Sequence, residues 1–219
     1  MTGSAEIICV GTELLLGQIL NSNAQYLAQR LAELGISHHY QTVVGDNSVR
    51  LQRAIACERS RLLIFTGGLG PTPDDLTTET IADFFGTELE EQPDIVRALK
   101  ARFAQRGRVM SANNLKQAQL PIGAEILPNP TGTAPGMLWQ PRPGLVVMTF
   151  PGVPREMYTM WHETAVPYLK ENGWVNSIIH SRTLKFWGVS ESGLAERVDA
   201  FFQLDNPTVA PYASRGVIK

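Results

Sequence analysis

The sequence contains few cysteines, little net charge and no long apolar run. Its two cysteines, Cys9 and Cys57, cannot form a disulfide framework or a zinc site by themselves, and their apolar sequence neighbours favour buried, inert thiols. The longest apolar runs, such as Leu145–Phe150, are far shorter than the ~18 residues that indicate a membrane span. A formal net charge of −2 leaves no basic field for coating nucleic acid. Since no secretory leader is visible either, we expect a cytoplasmic protein with neither a membrane nor a nucleic-acid partner.

The chain does contain enough apolar sequence for a sizeable core, arranged in alternating strand and helix patterns. Hydrophobic residues make up 43% of the composition, and the length of 219 residues suits one large domain, or one with a small appendage. Apolar runs at Glu6–Val10 and Leu62–Phe65 predict buried strands, and Tyr40–Val44 is a further strand candidate. The candidate N-caps of the intervening helices are Asn21 or Ser22 and Asn47 or Ser48. This alternation predicts an α/β fold with a mainly parallel sheet.

The second half of the chain predicts a hairpin, a long helix and then a smaller domain. Two apolar runs on either side of the turn-forming segment Pro141–Gly144 predict a β-hairpin. Pro154 is suited to the first turn of a helix that continues to about residue 169. Residues 174–188 have the pattern of a linker and a new strand. A helical pattern follows over 190–202, with Leu194, Val198 and Phe201 on one face, and the last residues are rich in turn formers. We therefore predict a main domain over residues 1–170 and the start of a small α+β domain, apparently cut short, over residues 171–219.

Charged residues are divided unevenly between two adjacent segments. Leu62–Val96 contains eight acidic residues and no Lys or Arg, whereas Arg97–Gln119 contains six basic residues and no acid. Two solvated helix faces would account for this division. The alternative is a basic arm that reaches a phosphate or a partner subunit.

The strongest chemical signal is the glycine-rich segment Thr66–Asp75, which follows an apolar strand and precedes a predicted helix over Leu76–Phe85. In open α/β sheets, ligands bind beyond the carboxyl ends of the strands. Glycines let the backbone approach a ligand closely and direct its N–H groups at an anion. Because the segment matches neither G-x-G-x-x-G nor G-x-x-x-x-G-K-[ST], a plain tight turn is the alternative to a phosphate cradle.

Four carboxylates are predicted to meet near this segment. Asp74 and Asp75 directly follow the glycines, and Glu13 and Asp46 each follow another strand candidate. One of the two adjacent acids could simply cap the next helix, and Glu13 or Asp46 alone could be a cap or turn residue. Two acids beside a phosphate cradle, however, would repel the phosphate unless a cation lay between them. We therefore expect Mg²⁺ or a similar hard divalent ion, held by Glu13, Asp46, Asp74 and Asp75.

Other catalytic patterns are missing from the sequence. There is no G-x-S-x-G nucleophile elbow and no paired Cys and His nucleophile pattern. His38 and His39 are consecutive, so on a strand they would face opposite sides and could not share a metal. The residues therefore favour metal-assisted phosphate chemistry over a covalent intermediate.

Four segments of the sequence, in this order, carry a family resemblance: Val10–Gly17, Asn21–Asn23, Thr66–Thr77 and Phe150–Met157. They resemble the CinA (competence/damage-inducible) family over about residues 6–170. The resemblance implies a three-layer, molybdopterin-binding-like α/β domain of the kind found in MogA, MoaB and gephyrin-type proteins. It also implies a homodimer.

The resemblance assigns roles to individual residues as well. In that superfamily the Gly-Gly-x-Gly loop, a following acid and a later Pro-Gly turn line the pterin phosphate site. Asp75 matches that acid and Asp46 resembles the second acid of the site, so we expect these two to be catalytic. The residues expected to contact the ligand are Gly11, Thr12, Thr66, Gly67, Gly68, Gly70, Pro71, Thr72, Pro151 and Gly152.

For CinA proteins the resemblance implies metal-dependent hydrolysis of the diphosphate of ADP-ribose, which gives AMP and ribose 5-phosphate. Longer members add a nicotinamide-nucleotide amidohydrolase domain, which residues 1–219 are not expected to include. A molybdopterin-binding protein of molybdenum-cofactor synthesis would use the same glycine loop, and a non-catalytic nucleotide-binding module is a third alternative. Metal-dependent turnover of ADP-ribose separates the first function from the other two.

Overall fold

The first part of the chain is built around a central sheet of mainly parallel strands, and the ends of these strands position the loops of the candidate site. The computed structural model describes residues 3–57, 59–175, 182–214 and 217–218. The chain separates into two units, Met1–Ile179 and His180–Lys219. The predicted domain limit at residue 170 lies in the last helix of the first unit.

The strands of the first unit form one large sheet and one small one. In chain order they are β1 (Ala5–Val10), β2 (His38–Val44), β3 (Leu62–Thr66), β4 (Leu89–Glu91), β5 (Gln119–Pro121), β6 (Glu125–Leu127), β7 (Gly136–Arg142) and β8 (Leu145–Phe150). The large sheet has the order β2-β1-β3-β8-β7-β6, and β4 pairs with β5. β2, β1, β3 and β8 are parallel, while β7 pairs antiparallel with β8 on one side and with β6 on the other. The predicted mainly parallel sheet and the hairpin of β7 with β8 are therefore confirmed.

Helices connect the parallel strands, as expected for right-handed crossovers. They are α1 (Thr12–Leu15), α2 (Ser22–Glu33), α3 (Ser48–Ala56), α4 (Thr77–Phe85), α5 (Pro93–Gln105), a 3₁₀ helix (Ala112–Ala118), α6 (Pro154–Met160), a π-helical turn (Trp161–Ala165) and α7 (Val166–Glu171). The side chain of Asn21 accepts a hydrogen bond from the Ala24 amide at 3.1 Å, and Asn47 accepts one from Arg50 at 3.0 Å. The two asparagines thus act as the N-caps of α2 and α3, one of the two choices at each predicted position.

Two apolar clusters pack on opposite faces of the large sheet. Along β1, Ile7 belongs to the cluster that contains α2 and α6, whereas Ile8 belongs to the cluster that contains α3, α4 and α5. Successive side chains of a strand point to opposite faces, so a strand buried at every position needs cover on both sides. Every residue of β1, β3 and β8 is buried. The fold is therefore the α/β arrangement that the sequence predicted.

The second unit consists of one helix and short strands. They are α8 (Glu191–Phe202), β9 (Ala213–Ser214) and β10 (Val217–Ile218). The Ser190 hydroxyl caps α8 by accepting the Gly193 amide at 3.1 Å. Leu194 is buried on the predicted apolar face of α8, but Phe201 is half exposed. Part of the linker and strand predicted over 174–188 lies outside the described residues.

One cysteine differs from its prediction. Cys9 is buried, and burial raises the pKa of its thiol, as expected for an inert residue. Cys57 is exposed, so the prediction that it is buried is wrong. Cys57 directly follows the last residue of α3 and does not belong to the buried face of the helix, which is formed by Leu51 and Ile55. Among the described residues, no helix is long and apolar enough to cross a membrane.

Candidate active site

A cleft of about 460 Å³ lies at the carboxyl ends of the parallel strands. It collects the segments that follow β1, β2, β3 and β8, which are neighbours in the sheet. The site residues predicted from the sequence that line the cleft are Gly11, Glu13, Asp46, Gly67, Gly68, Gly70, Pro71, Asp74, Asp75, Pro151 and Gly152. All four predicted carboxylates therefore converge on one cleft.

Three predicted contact residues are absent from the described lining of the cleft and instead support it. Thr66 is buried at the end of β3, where its hydroxyl donates to the Pro151 carbonyl at 3.0 Å. Thr12 exchanges two hydrogen bonds with Asp46, and Thr72 donates to Asp75 from both its amide and its hydroxyl. These threonines fix the residues that line the cleft.

The turn after β3 can be built only from glycine. Gly67 has φ of 100°, and a Cβ on it would overlap the Val10 carbonyl oxygen on β1. The Gly67 amide donates to the Phe150 carbonyl at 3.0 Å, and its carbonyl accepts from the Thr77 hydroxyl at 2.8 Å. Because β1 and β8 flank β3 in the sheet, the turn is clamped between the two neighbouring strands. The close approach of backbone to backbone explains the glycine.

Beyond this clamp the loop offers polar backbone groups to the cleft. Within the described part of the chain, the amides of Gly68, Leu69 and Gly70 have no hydrogen-bond partner. Gln117, which also lines the cleft, donates to the Leu69 carbonyl at 3.3 Å and holds the loop in place. Successive unpaired amides of this kind are suited to bind the oxygens of an anion.

Asn23 ties three of the cleft's segments together, and sequence reasoning gave it no role. Its side-chain amide donates to the Thr66 hydroxyl at 2.8 Å and to the Gly152 carbonyl at 2.9 Å, while its own carbonyl oxygen is buried without a partner. A signal was available, since Asn23 occupies the same helical face as Leu27 and Leu31. A buried amide on an apolar stripe needs polar partners.

The helix-cap alternative for the two adjacent acids is wrong. α4 begins after Leu76 and has no side-chain cap. Asp75 instead closes its own loop: one carboxylate oxygen accepts both the amide of Thr72, at 2.9 Å, and the Thr72 hydroxyl. The pKa of Asp74 is lowered by the neighbouring Thr72 side chain, then by its own backbone amide and, more weakly, by the charge of Lys116.

A fifth carboxylate, Glu156 in the first turn of α6, also lines the cleft and was not predicted as a site residue. Its Oε2 accepts a hydrogen bond from the Asn129 side-chain amide at 2.7 Å. Asn129 belongs to a turn-rich loop whose carbonyl groups accept hydrogen bonds from the Arg102 guanidinium. The only sequence signal was position, because Glu156 follows the end of β8 as Asp46 follows β2.

The charge of the cleft is of one sign. Five acidic residues line it, and no Lys, Arg or His is found among its described lining residues. An anionic ligand would be repelled by this set of carboxylates unless a cation neutralised them. The cleft therefore combines backbone donors suited to an anion with side chains suited to a cation.

The donor set fits a hard divalent ion shared with a ligand better than a closed metal cage. Within residues 3–57, 59–175, 182–214 and 217–218, no three His, Cys, Asp or Glu side chains are grouped so that they alone could hold a metal. Mg²⁺ is typically bound by one or two carboxylates together with water and substrate phosphates. Oxygen donors on several sides of one cleft are consistent with that mode of binding.

The sequence comparisons define the class of protein that carries this cleft. Residues 6–171 match the family described as "Probable molybdopterin binding domain", and residues 181–219 match the "Damage-inducible protein CinA KH domain". The chain is 69% identical to a CinA-like protein of Cyanothece sp. and 67% identical to one of Nostoc punctiforme, each over 218 residues. These alignments cover 99% of this chain and 52% of each relative, so the chain spans about half the length of these curated relatives.

Solved structures agree with this classification. The protein CinA of Thermoplasma acidophilum, described as of unknown function, is 32% identical with a TM-score of 0.68, over 77% of this chain and 96% of that one. A tungsten cofactor synthesizing protein, MoaB of Pyrococcus furiosus, is 16% identical with a TM-score of 0.51 over 80% and 98% of the two chains, and shares the fold. The chain belongs to the CinA-like family, with a molybdopterin-binding-type domain followed by a match to the CinA KH domain.

Proposed function

We propose that the cleft hydrolyses the diphosphate bond of ADP-ribose, giving AMP and ribose 5-phosphate, with a divalent metal ion. The observation that supports this proposal is the composition of the cleft, in which five carboxylates accompany a glycine loop with unpaired amides. A diphosphate and a divalent cation together satisfy both sets of groups, whereas either one alone leaves the other set without a partner. Membership of the CinA-like family agrees with the proposal.

The chain's own groups have separate tasks in this scheme. The amides of Gly68, Leu69 and Gly70 bind the diphosphate oxygens and orient the bond that breaks. Asp46 and Asp75 position the attacking water and one of them accepts its proton, while Glu13 and Asp74 would share the ion with water and the diphosphate. A bound divalent ion supplies neutralisation of phosphate charge and a lower pKa for water. The Asp46–Thr12 and Asp75–Thr72 hydrogen bonds hold the two carboxylates at fixed positions.

The direct test is a panel of nucleoside diphosphate sugars incubated with the protein, with Mg²⁺ and with a chelator. We expect AMP and ribose 5-phosphate from ADP-ribose only when the metal is present. The absence of turnover with every metal and substrate of the panel, in a protein whose thermal melt is cooperative, would contradict the proposal.

A second candidate, a molybdopterin-binding protein, has its own support. The domain family and the shared fold of MoaB both favour it, and a pterin phosphate would suit the same amides. The five carboxylates favour the hydrolase, because a phosphate bound without a cation would meet their repulsion. Tight binding of a pterin phosphate in the presence of chelator, without ADP-ribose turnover, would select this second function.

A further inference from the structure

A second polar cavity, of about 440 Å³, lies at the opposite end of the large sheet from the cleft. It is formed by the residues that lead into β1 and β3 and by the turn between β7 and β8. Its described lining residues are Gly3, Ser4, Arg59, Ser60, Arg61, Arg142, Pro143, Gly144 and Leu145. Three of these are arginines and none is acidic, so the cavity differs in charge from the cleft.

Arg59 is held in position by three groups around its guanidinium. Its Nη1 lies 3.8 Å from Oε1 of the buried Glu6, and its Nη2 donates to the Cys57 sulfur at 3.2 Å. The guanidinium carbon lies 4.7 Å from the centre of the Tyr40 ring. Glu6 takes up part of the charge of Arg59, and Arg61 and Arg142 also line the cavity. Glu58, next in sequence, lies outside the described residues.

Arg61 is anchored through its backbone, which leaves its side chain to the cavity. Its amide donates to the Ser4 carbonyl at 3.0 Å, and its carbonyl accepts from the Val146 amide at 2.8 Å. Its guanidinium passes the turn at Gly144, where a Cβ would lie 3.7 Å from Nη1. Beside it, the hydroxyl oxygens of Ser4 and the buried Ser60 are 3.1 Å apart. The cavity therefore presents guanidinium and hydroxyl donors on a fixed backbone.

We propose that this arginine cavity is a binding site for the phosphate group of a small molecule. A planar guanidinium matches two phosphate oxygens with two parallel hydrogen bonds, so arginines around one cavity favour an oxyanion over other ligands. Because the hydroxyls of Ser4 and Ser60 share one hydrogen bond, one of them keeps a proton that can be donated to the same oxygens. No described acid lines the cavity, so such an anion needs no metal there. The site is independent of the hydrolase proposed above, since no lining residue is shared with the cleft.

The test is calorimetric titration of inorganic pyrophosphate into the whole chain in the presence of a chelator. Under these conditions the acidic cleft has no cation, so binding reports on the arginine cavity. We expect wild-type protein to bind with Kd below about 5 mM. The Arg61→Gln/Arg142→Gln variant should bind at least about tenfold more weakly, because two bidentate donors are lost. A parallel titration with AMP distinguishes a nucleotide site, where AMP binds more tightly than pyrophosphate, from a site for the free anion.

The matched control is the Arg106→Gln/Arg108→Gln variant, which removes the same charge from exposed positions after α5. It should bind as the wild type does. Equal weakening in both double variants would show general charge attraction and would overturn the proposal, as would no binding by the wild type.

Chemical protection of the unmodified protein gives a second measurement, which does not depend on the folding of any variant. Pyrophosphate should slow the reaction of an arginine-specific dicarbonyl reagent at Arg61 and Arg142 but not at Arg106 and Arg108. Equal rates at Arg61 and Arg142 with and without the anion would contradict the site.

Discussion

The two ends of the large sheet are built from the same strands but carry opposite charge. At the carboxyl ends, the loops after four parallel strands bring five acidic residues and no described base into one cleft. At the amino ends, the chain entering β1 and β3 and the β7–β8 turn bring together three arginines and no described acid. Under the two proposals above, a phosphate binds at the carboxyl end only with a cation and at the amino end without one.

The two ends also differ in how tightly the backbone is packed. Gly67 and Gly144 both have positive φ, 100° and 79°. A Cβ on Gly67 would overlap a carbonyl oxygen of β1, while one on Gly144 would meet only Nη1 of Arg61, at 3.7 Å. The backbone at the cleft is therefore in close contact with the neighbouring strand. The β7–β8 turn beside the arginine cavity has space for an added side-chain carbon.

The largest effect is expected from removing one charge at the carboxyl end. Asp75→Asn keeps an oxygen that can accept the Thr72 hydrogen bonds, so the free energy of unfolding should change by less than about 1 kcal/mol. If Asp75 positions water or the metal, turnover of ADP-ribose should fall by about 10²-fold or more. The measurement is metal-dependent hydrolysis beside a thermal melt.

The control for Asp75 is Asp83→Asn, which makes the same change at an exposed position of α4. Asp83→Asn should leave both turnover and melt unchanged. Unaltered turnover in Asp75→Asn would remove this residue from the catalytic set. Pyrophosphate binding in chelator should survive in both variants, because the amino end is untouched.

The next effect tests the difference in backbone packing. Gly67→Ala adds both the cost of a left-handed conformation and the overlap with the Val10 carbonyl, so we expect a loss of stability above about 3 kcal/mol. Gly144→Ala has only the first cost, about 1–2 kcal/mol. Denaturant unfolding of the two variants measures the difference. Equal losses would show that the loop after β3 moves aside easily and is not the rigid cradle described above.

The sequence alone was sufficient to predict the strands and to place the four acidic residues at one edge of the sheet. Strands buried on both faces are continuous apolar runs, and the ends of neighbouring parallel strands must lie at one edge. Placing Glu13, Asp46, Asp74 and Asp75 in one cleft required no more than the order of the strands. The chemical roles of these residues remain predictions.

What the sequence could not predict depends on contacts between distant segments. Asn23 joins Thr66 and Gly152 across 43 and 129 positions of the chain, and no local pattern encodes such a pairing. Asp75 is of a residue type that often caps helices. Its carboxylate instead accepts a hydrogen bond from the Thr72 amide, because the loop turns back on itself before α4. The arginine cavity was missed for the same reason, since Arg61 and Arg142 meet only when β3 and the β7–β8 hairpin lie side by side.

The smallest effect concerns the acidity of the cleft. The pKa of Asp74 is lowered, chiefly by the neighbouring Thr72 side chain, so its charge persists to lower pH in the folded chain than in the unfolded one. A depressed folded pKa stabilises the fold above the unfolded pKa, and this contribution disappears as the pH falls through the folded value. Thr72→Val keeps the shape and removes the hydroxyl, so the pKa of Asp74 should rise towards its ordinary value.

Carboxyl-carbon NMR titration of Asp74 measures this shift, and Thr159→Val, which removes a hydroxyl from α6, is the control that should leave it in place. Because Asp74 is exposed, the melt at neutral pH should barely change. Acid should therefore remove the charge of Asp74 from the cleft at a higher pH in Thr72→Val than in the wild type. An unshifted Asp74 in that variant would mean that its backbone amide and Lys116 suffice to keep the cleft charged.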